Sequence, residues 1–419
     1  MSIASEFELL PLGDLVRFIN GDRSTNYPKG KDYVEAGIPF ISATDLSNGR
    51  IDKSSAKGIT SAAYEKLRSG KIQADDVLFC LRGSIGKLAY VQEGDAGAIA
   101  SSLVIVRATE KVNARYLFFV LSSPSGQQAA LGLNNGAAQP NVSVGELQKV
   151  RIPLPPMPTQ HRIASILSAY DDLIENNTRR VAILEEMARR IYEEWFVRFR
   201  FPGAMGDKSS WLKVELGDIA VIQTGPFGSQ LHQSDYVSDG VPVVMPKDIA
   251  LNRFEVASIA RIPEALAEQL GRHRMREDDI VYGRRGDIGR KAFISHRQVG
   301  WMCGTGCLLI RPDSEKVAPR FLFDLLAAPD VLGAIKGRAK GATMPNLSAG
   351  LMQSVPLSLP PRELQDRYVQ TVTPMAELVE TLTEKNRNLR STRDLLLPKL
   401  ISGELDVSTL PEPEEAIAA

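Results

Sequence analysis

The chain has 419 residues, 43% of them hydrophobic, and 50 basic residues against 50 acidic. That length accommodates about two to three domains with real cores, and the zero balance excludes a whole-chain field, so a nucleic-acid partner has to be met by local basic patches. Three cysteines (Cys80, Cys303, Cys307) and four histidines exclude a disulfide scaffold and give no expectation of metal; with no signal peptide or long apolar segment, a cytoplasmic location without a membrane is expected.

In chain order, the first elements are Leu12-Gly-Asp-Leu15, an apolar strand over residues 38–42 within Gly37-Ile-Pro-Phe-Ile41, and Asp45 four positions after it. A short helix over 61–69 follows, stopped by Gly70, and then a strand over 77–81. Arg82-Gly-Ser-Ile-Gly-Lys87 falls between two strand-like runs, which places it on a hairpin turn, where binding residues are often displayed. Gly136-Ala-Ala-Gln-Pro-Asn-Val-Ser143 reads as a loop, and the prolines at 153, 155, 156 and 158 as a helix entry. A heptad-patterned helix over 159–200 then runs to Phe201-Pro202-Gly203.

The same order returns about 204 positions later: Leu216-Gly-Asp-Ile219, Gly240-Val-Pro-Val-Val244 with Asp248 four residues on, and a helix beginning at Pro263 and stopped by Gly271. Asp278-Asp-Ile-Val281, Arg285-Gly-Asp-Ile-Gly-Arg290, Gly341-Ala-Thr-Met-Pro-Asn-Leu-Ser348 and Pro360-Pro361 complete it. A second heptad helix follows, with a stop expected near Leu397-Pro398 and Gly403. A duplicated module is the natural reading.

The first helix carries the seam Ile163, Leu167, Tyr170, Ile174, Asn177, Val181, Leu184, Ala188, Ile191, Trp195. The second carries Tyr368, Val372, Met375, Val379, Leu382, Asn386, Leu389, Arg393, Leu396, Leu400. Both are coiled-coil patterns. An antiparallel register joins Ile174 with Leu389, Leu184 with Val379 and the polar Asn177 with Asn386, which lets each buried amide find a partner. Arg393 then lies opposite Tyr170 and could snorkel to water, while Pro374 and Pro398 disturb the outermost layers. The fold expected is mixed α+β (α/β) modules in tandem duplicate, joined by two long antiparallel coiled-coil helices with pseudo-twofold symmetry. The segments are 1–156, a central helix over 157–202, 203–361, a second helix over 362–405, and a loose acidic tail over 406–419. Besides holding the modules together, the first helix would be about 60 Å long at ~1.5 Å per residue, or ~18 base-pair steps at ~3.4 Å, and could act as a ruler.

This pattern resembles the specificity subunits of type I restriction-modification enzymes. The residues that carry the resemblance are the paired Gly-[Ile/Val]-Pro segments, the two Pro-Asn-[Val/Leu]-Ser segments, Glu194-Trp-Phe-Val-Arg-Phe-Arg-Phe-Pro-Gly203, and Leu395-Leu-Leu-Pro-Lys-Leu-Ile-Ser-Gly-Glu-Leu405. It implies two target-recognition domains, each reading half of a bipartite double-stranded DNA sequence, with the helices setting the gap. It also implies a non-catalytic subunit that binds no cofactor. Its partners would be two methyltransferase subunits using S-adenosylmethionine and restriction/translocase subunits using ATP and magnesium. The sequence has no Asn-Pro-Pro-aromatic methyltransferase motif and no Gly-x4-Gly-Lys-[Ser/Thr] phosphate loop. Gly304-Thr-Gly306 is only a fragment of a dinucleotide fingerprint.

Arg82 and Lys87 in the first module and Arg284, Arg285 and Arg290 in the second are the leading candidates for DNA contact, because arginine binds phosphate or reaches guanine bidentately. Arg272, Arg274 and Arg276, around His273, form a second candidate cluster suited to phosphate. Gln139 and Met344 occupy matching loop positions, where glutamine could pair with adenine. Asn141 and Asn346 are expected to hold their turns through bonds to backbone. The competing reading of all these turns is ordinary surface with solvated charges, in a scaffold that holds partners without reading DNA sequence.

Overall fold

The computed structural model describes residues 7–134, 140–201, 204–205, 209, 211–226, 230–250, 252–256, 259–339, 341 and 345–407. It divides into two compact units, Met1–Arg179 with Leu382–Ala419, and Arg180–Thr381. Each unit therefore consists of one head and part of each long helix.

The first head is built on a four-stranded antiparallel sheet in the order Val16–Asn20, Leu103–Ala108, Asp76–Cys80, Leu88–Tyr90. Its central strands are mostly Val, Leu, Ile and Phe, and Asp76–Cys80 is buried along its whole length, as expected of a strand covered on both faces. A smaller sheet sets Ala98–Ile99 parallel to Ile38–Ile41, followed by Lys57–Ile59 and Tyr33–Val34. Glu8–Pro11 pairs with Arg151–Leu154 at the foot of the head. Helices Ala114–Ser122 and Pro124–Gly132 are capped by Asn113 and Ser123, whose side chains accept from Tyr116 N and Gly126 N.

The second head repeats this order. Its main sheet runs Ala220–Thr224, Cys307–Pro312, Ile280–Gly283, Lys291–Phe293. The smaller sheet again has one parallel pair, Val241–Val244 with Met302–Cys303, and Leu212–Glu215 pairs with Pro356–Leu359. The matched aspartates now have a reason: Asp45 and Asp248 accept from Ser42 N and Met245 N at 2.8 Å each, closing the short turn after each strand. A second device escaped the sequence reading. Asp76 and Asp279, at 0% and 1% exposure, each accept both ends of an arginine fork, from Arg107 and Arg311.

The long helices are Met157–Tyr192 and Arg362–Ser402, and none of their expected seam positions is exposed. In the first unit they run antiparallel, with Asn177 Nδ2 donating to Asn386 Oδ1 at 3.0 Å. Asn386 Nδ2 is divided between Ile174 O and Thr178 Oγ1, both 3.1 Å away. Every buried amide hydrogen bond here is local to the register, so a slip would strand polar groups at about 1–3 kcal/mol each. Arg393 does not snorkel: it donates to Asp171 and Asp394, because the carboxylate next to Tyr170 offers a nearer partner than bulk water.

The expected end of the first helix shifts, whereas the second helix ends at Ser402, beside the expected Gly403. The first α-helix stops at Tyr192 and continues as a π turn over Glu193–Val197, not as α-helix to residue 200. That widened turn brings Trp195 and Phe196 together against Tyr368, with ring centroids 6.2 and 5.1 Å away, inside the second unit's core. The second helix does not stop at Pro398 but passes through it and Pro374, ending before Gly403, which has φ 77°. An interior proline costs about 3 kcal/mol. Leu397, Leu400 and Ile401 are buried in the first unit's core, and at roughly 1.5–3 kcal/mol per side chain they offset that cost.

Lys291 stands in the second unit where Leu88 stands in the first, and is 2% exposed. Its Nζ sits over the Phe323 ring, 3.3 Å from the centroid. Burial pulls its pKa down to about 7, with Asp324 opposing and Arg320 assisting. The unfolded chain holds that proton up to the ordinary lysine value of about 10.4, so stability gains from this group as pH rises from about 7 toward 10. Lys291→Leu should remove that slope and raise stability at pH 6 by about 1–2 kcal/mol. Thermal melts of both proteins at pH 6 and pH 9 check this, and a gap between them that does not shrink at pH 9 contradicts it.

Candidate nucleic-acid interface

One end of each main sheet carries a hairpin turn with basic candidates, residues 82–87 in the first head and 284–290 in the second. In the first head, Val104 pairs with Asn20 and Leu103 with Cys80, so residues 21–23, Ser101 and the 82–87 turn emerge side by side. Gly21 permits this crowding, because a Cβ there would lie 2.7 Å from Ile99 O. The corresponding Gly225 is tighter, with a Cβ position 2.0 Å from Gly304 O. The 82–87 turn joins Asp76–Cys80 to Leu88–Tyr90 as an antiparallel hairpin. It is made by Gly83 and Gly86, both at φ 82°, a conformation that costs other residues dearly.

Arg82 and Lys87 are both exposed. Lys87 Nζ donates to Ala43 O at 3.0 Å, and Arg82 Nε donates to Asn141 Oδ1 at 3.0 Å. The Pro-Asn-Val-Ser segment is thus tied to the hairpin, with Gly83 N on Pro140 O and Val142 N on Leu81 O. The expectation that Asn141 bonds its own turn is corrected, since its carboxamide oxygen serves Arg82 instead. Gln139, like Met344, lies outside the described residues.

The second head keeps the backbone but alters the side chains. Gly286 N reaches Pro345 O and Leu347 N reaches Arg284 O. Arg284, however, is 6% exposed; its guanidinium donates to Asn346 Oδ1 at 3.3 Å, and its buried Nε has no hydrogen-bond partner among the described residues. Burial, and then the neighbouring Arg285, lower its pKa. It is an internal strut and not a displayed contact, and Asn346, like Asn141, serves an arginine and not its own turn. Arg285 points outward and is exposed. Arg290 is exposed, pairs with Asp287 at 2.9 Å and reaches Ile249 O at 3.4 Å.

The second cluster also divides. Arg272 is exposed, and its Nε donates to His273 Nε2 at 2.9 Å. His273 is buried, and burial followed by the Arg272 charge lowers its pKa, which keeps the ring neutral and able to accept. Arg274 is half-buried and engaged with Glu264, Ala267 O and Gly300 O, so it braces its own loop. Arg276 is exposed. Two exposed cations near the same sheet ends were missed: Arg23, which donates to Ser101 O at 3.1 Å, and Lys247 in the turn Pro246–Asp248. Their signal was positional, since Arg23 follows Gly21, the counterpart of Gly225, and Lys247 precedes the repeated Asp248.

The three cysteines are free and buried, and burial pushes the Cys303 thiol up to about 12, so these groups behave as small apolar side chains. No helix among the described residues is long and apolar enough to cross a membrane.

The family model for the type I restriction modification DNA specificity domain matches residues 4–186 and again 208–390. The chain is 23% identical to the type I restriction enzyme MjaIX specificity subunit of Methanocaldococcus jannaschii, over 97% of this chain and 95% of that one. It is 21% identical to the HindI specificity subunit of Haemophilus influenzae, over 94% and 100%. A crystal structure of the type I restriction-modification S subunit from M. genitalium shares the fold, with TM-score 0.65 and 16% identity over 97% of this chain and 99% of the other. With two copies of the domain spanning most of its length, the chain belongs to the specificity subunits of type I restriction-modification systems.

Proposed function

We propose that this chain gives a type I restriction-modification complex its DNA sequence specificity. Each head reads one half of a bipartite target, and the exposed faces of the long helices dock two methyltransferase subunits. The chain itself contributes no catalysis and holds no cofactor. S-adenosylmethionine serves the methyltransferases, and ATP and magnesium serve the restriction/translocase subunits.

The observation that carries the reading is the repeated hairpin. Both heads present an exposed arginine, Arg82 or Arg285, on a glycine turn fastened to a Pro-Asn segment at the same end of the main sheet. A rigid strand-to-strand turn positions a guanidinium far better than a free loop does, and two such turns with different neighbours suit two different half-sites.

The test is to co-express the chain with a cognate methyltransferase and map adenine methylation across the host genome by long-read sequencing. A single bipartite motif is expected. Exchanging residues 12–152 for another member's head should change one half-site and leave the other. An active, assembled complex without a motif would overturn the reading in favour of a scaffold that does not read sequence.

A further inference from the structure

We infer that the two equivalent arginines do different work: Arg82 reads a guanine base edge in the first head's half-site, whereas Arg285 contacts the phosphate backbone and carries no base preference. This rests on the function proposed above and assigns the roles within it.

The difference originates in one residue. Before the turn, the first head has Leu81, 3% exposed, and the second has Arg284, 6% exposed. Both side chains point inward from the end of a strand. Leucine leaves the neighbouring asparagine free, and Asn141 Oδ1 accepts from Arg82 Nε at 3.0 Å. Arg284 instead takes the equivalent oxygen of Asn346 for itself. The backbone bridges, Arg82 with Asn141 and Arg285 with Asn346, are otherwise the same.

A guanidinium has five N–H donors in a fixed plane. When Nε is held by a carboxamide, the plane is fixed and the two terminal nitrogens remain available on the exposed side. Bidentate recognition of guanine O6 and N7 in the major groove requires a planar fork of that kind. Because the orientation is set before binding, less rotamer freedom is lost on contact. Arg285 has no such support among the described residues. It keeps its rotamers and its charge, which suits attraction to phosphate but gives little discrimination among bases.

The roles separate in the methylation motif of the assembled complex, with the first head's half-site identified by the head exchange. Arg82→Lys keeps the charge and removes the fork. It should turn one guanine position of that half-site degenerate, raising methylation at the other three bases roughly 10- to 100-fold, and Asn141→Ala should move the same position in the same direction. Arg285→Ala should leave every motif position sharp while lowering the methylated fraction and reducing the salt dependence of DNA binding by about one unit of slope. Thermal melts of each variant establish that the heads remain folded, and a motif is read from whichever sites are methylated even when overall activity falls. The inference is overturned if the first half-site contains no guanine, if Arg82→Lys leaves all positions sharp, or if Arg285→Ala relaxes a base. None of those outcomes touches the parent reading, which fails only if the wild-type complex has no bipartite motif.

Discussion

Replacing Asp279 by alanine is expected to cost the second unit about 3 kcal/mol, seen as the largest drop in melting temperature among single substitutions in its head. Asp279 is 1% exposed and accepts three hydrogen bonds, from Arg311 Nε at 2.8 Å, Arg311 Nη2 at 2.7 Å and Arg276 N at 2.7 Å. Removing one member of a buried pair typically costs about 3–5 kcal/mol, because the other charge is left without compensation. The lower end applies, since the Arg311 side chain is 26% exposed and can regain some water. The loss is therefore not the worth of the ion pair but the desolvation of a stranded guanidinium. The double substitution Asp279→Ala with Arg311→Met should recover at least half of the deficit, and a double variant no more stable than the single would refute that account. Arg311 also donates to Arg274 O at 3.1 Å, so the substitution should loosen the 272–276 segment as well. Asp76→Ala, which strands Arg107 in the first unit, should behave alike.

That ion pair illustrates where the sequence was silent. Asp76 and Asp279 were visible only as half of a repeated Asp-Asp step, and nothing local distinguished the second aspartate, which faces the core, from the first. The partners Arg107 and Arg311 lie about 30 residues away, a pairing set by strand register. By contrast, the hairpin was legible, because Arg-Gly-x-Ile-Gly between apolar runs leaves the chain few ways to turn. The Asn177–Asn386 contact was also legible, because one register matched every seam position and the two polar ones at once.

The second helix carried two stop signals, Pro398 and Gly403, and it ends at the glycine, whereas the end of the first helix was misread. Proline is a reliable local breaker, and Pro398 gave that signal correctly in isolation, but the apolar residues beyond it belong to the core of the first unit and hold the helix together. The π turn at Glu193–Val197 has no signature beyond a cluster of aromatic residues that must share one core. Which of the basic candidates would be exposed was not legible residue by residue. Arg284 and Arg285 are adjacent in sequence yet lie on opposite sides of the strand end, as the two-residue period demands. The repeat held the means of separating them: Arg284 aligns with the apolar Leu81, and Arg285 with the exposed Arg82.

Lengthening both long helices by seven residues, inserted after Arg179 and after Thr383, is expected to widen the gap between the two halves of the target by about three base pairs. Seven residues add roughly 10.5 Å of helix at ~1.5 Å each, and duplex DNA advances ~3.4 Å per pair. A whole heptad keeps the apolar seam in phase, whereas a four-residue insertion would introduce a stutter and rotate one half of the seam against the other. The two sites face each other in the register that pairs Asn177 with Asn386, so that contact and the layers on either side are retained. Extending only one helix should instead put the seam on one side of the insertion out of register with its partner and reduce stability, with no new motif. Methylation mapping of the doubly extended complex gives the answer directly: both half-site sequences should persist while only the spacer grows. An active complex whose spacer is unchanged would mean that the DNA, or a flexible attachment of the heads, sets the gap, and the helices would then be a clasp with no metric role.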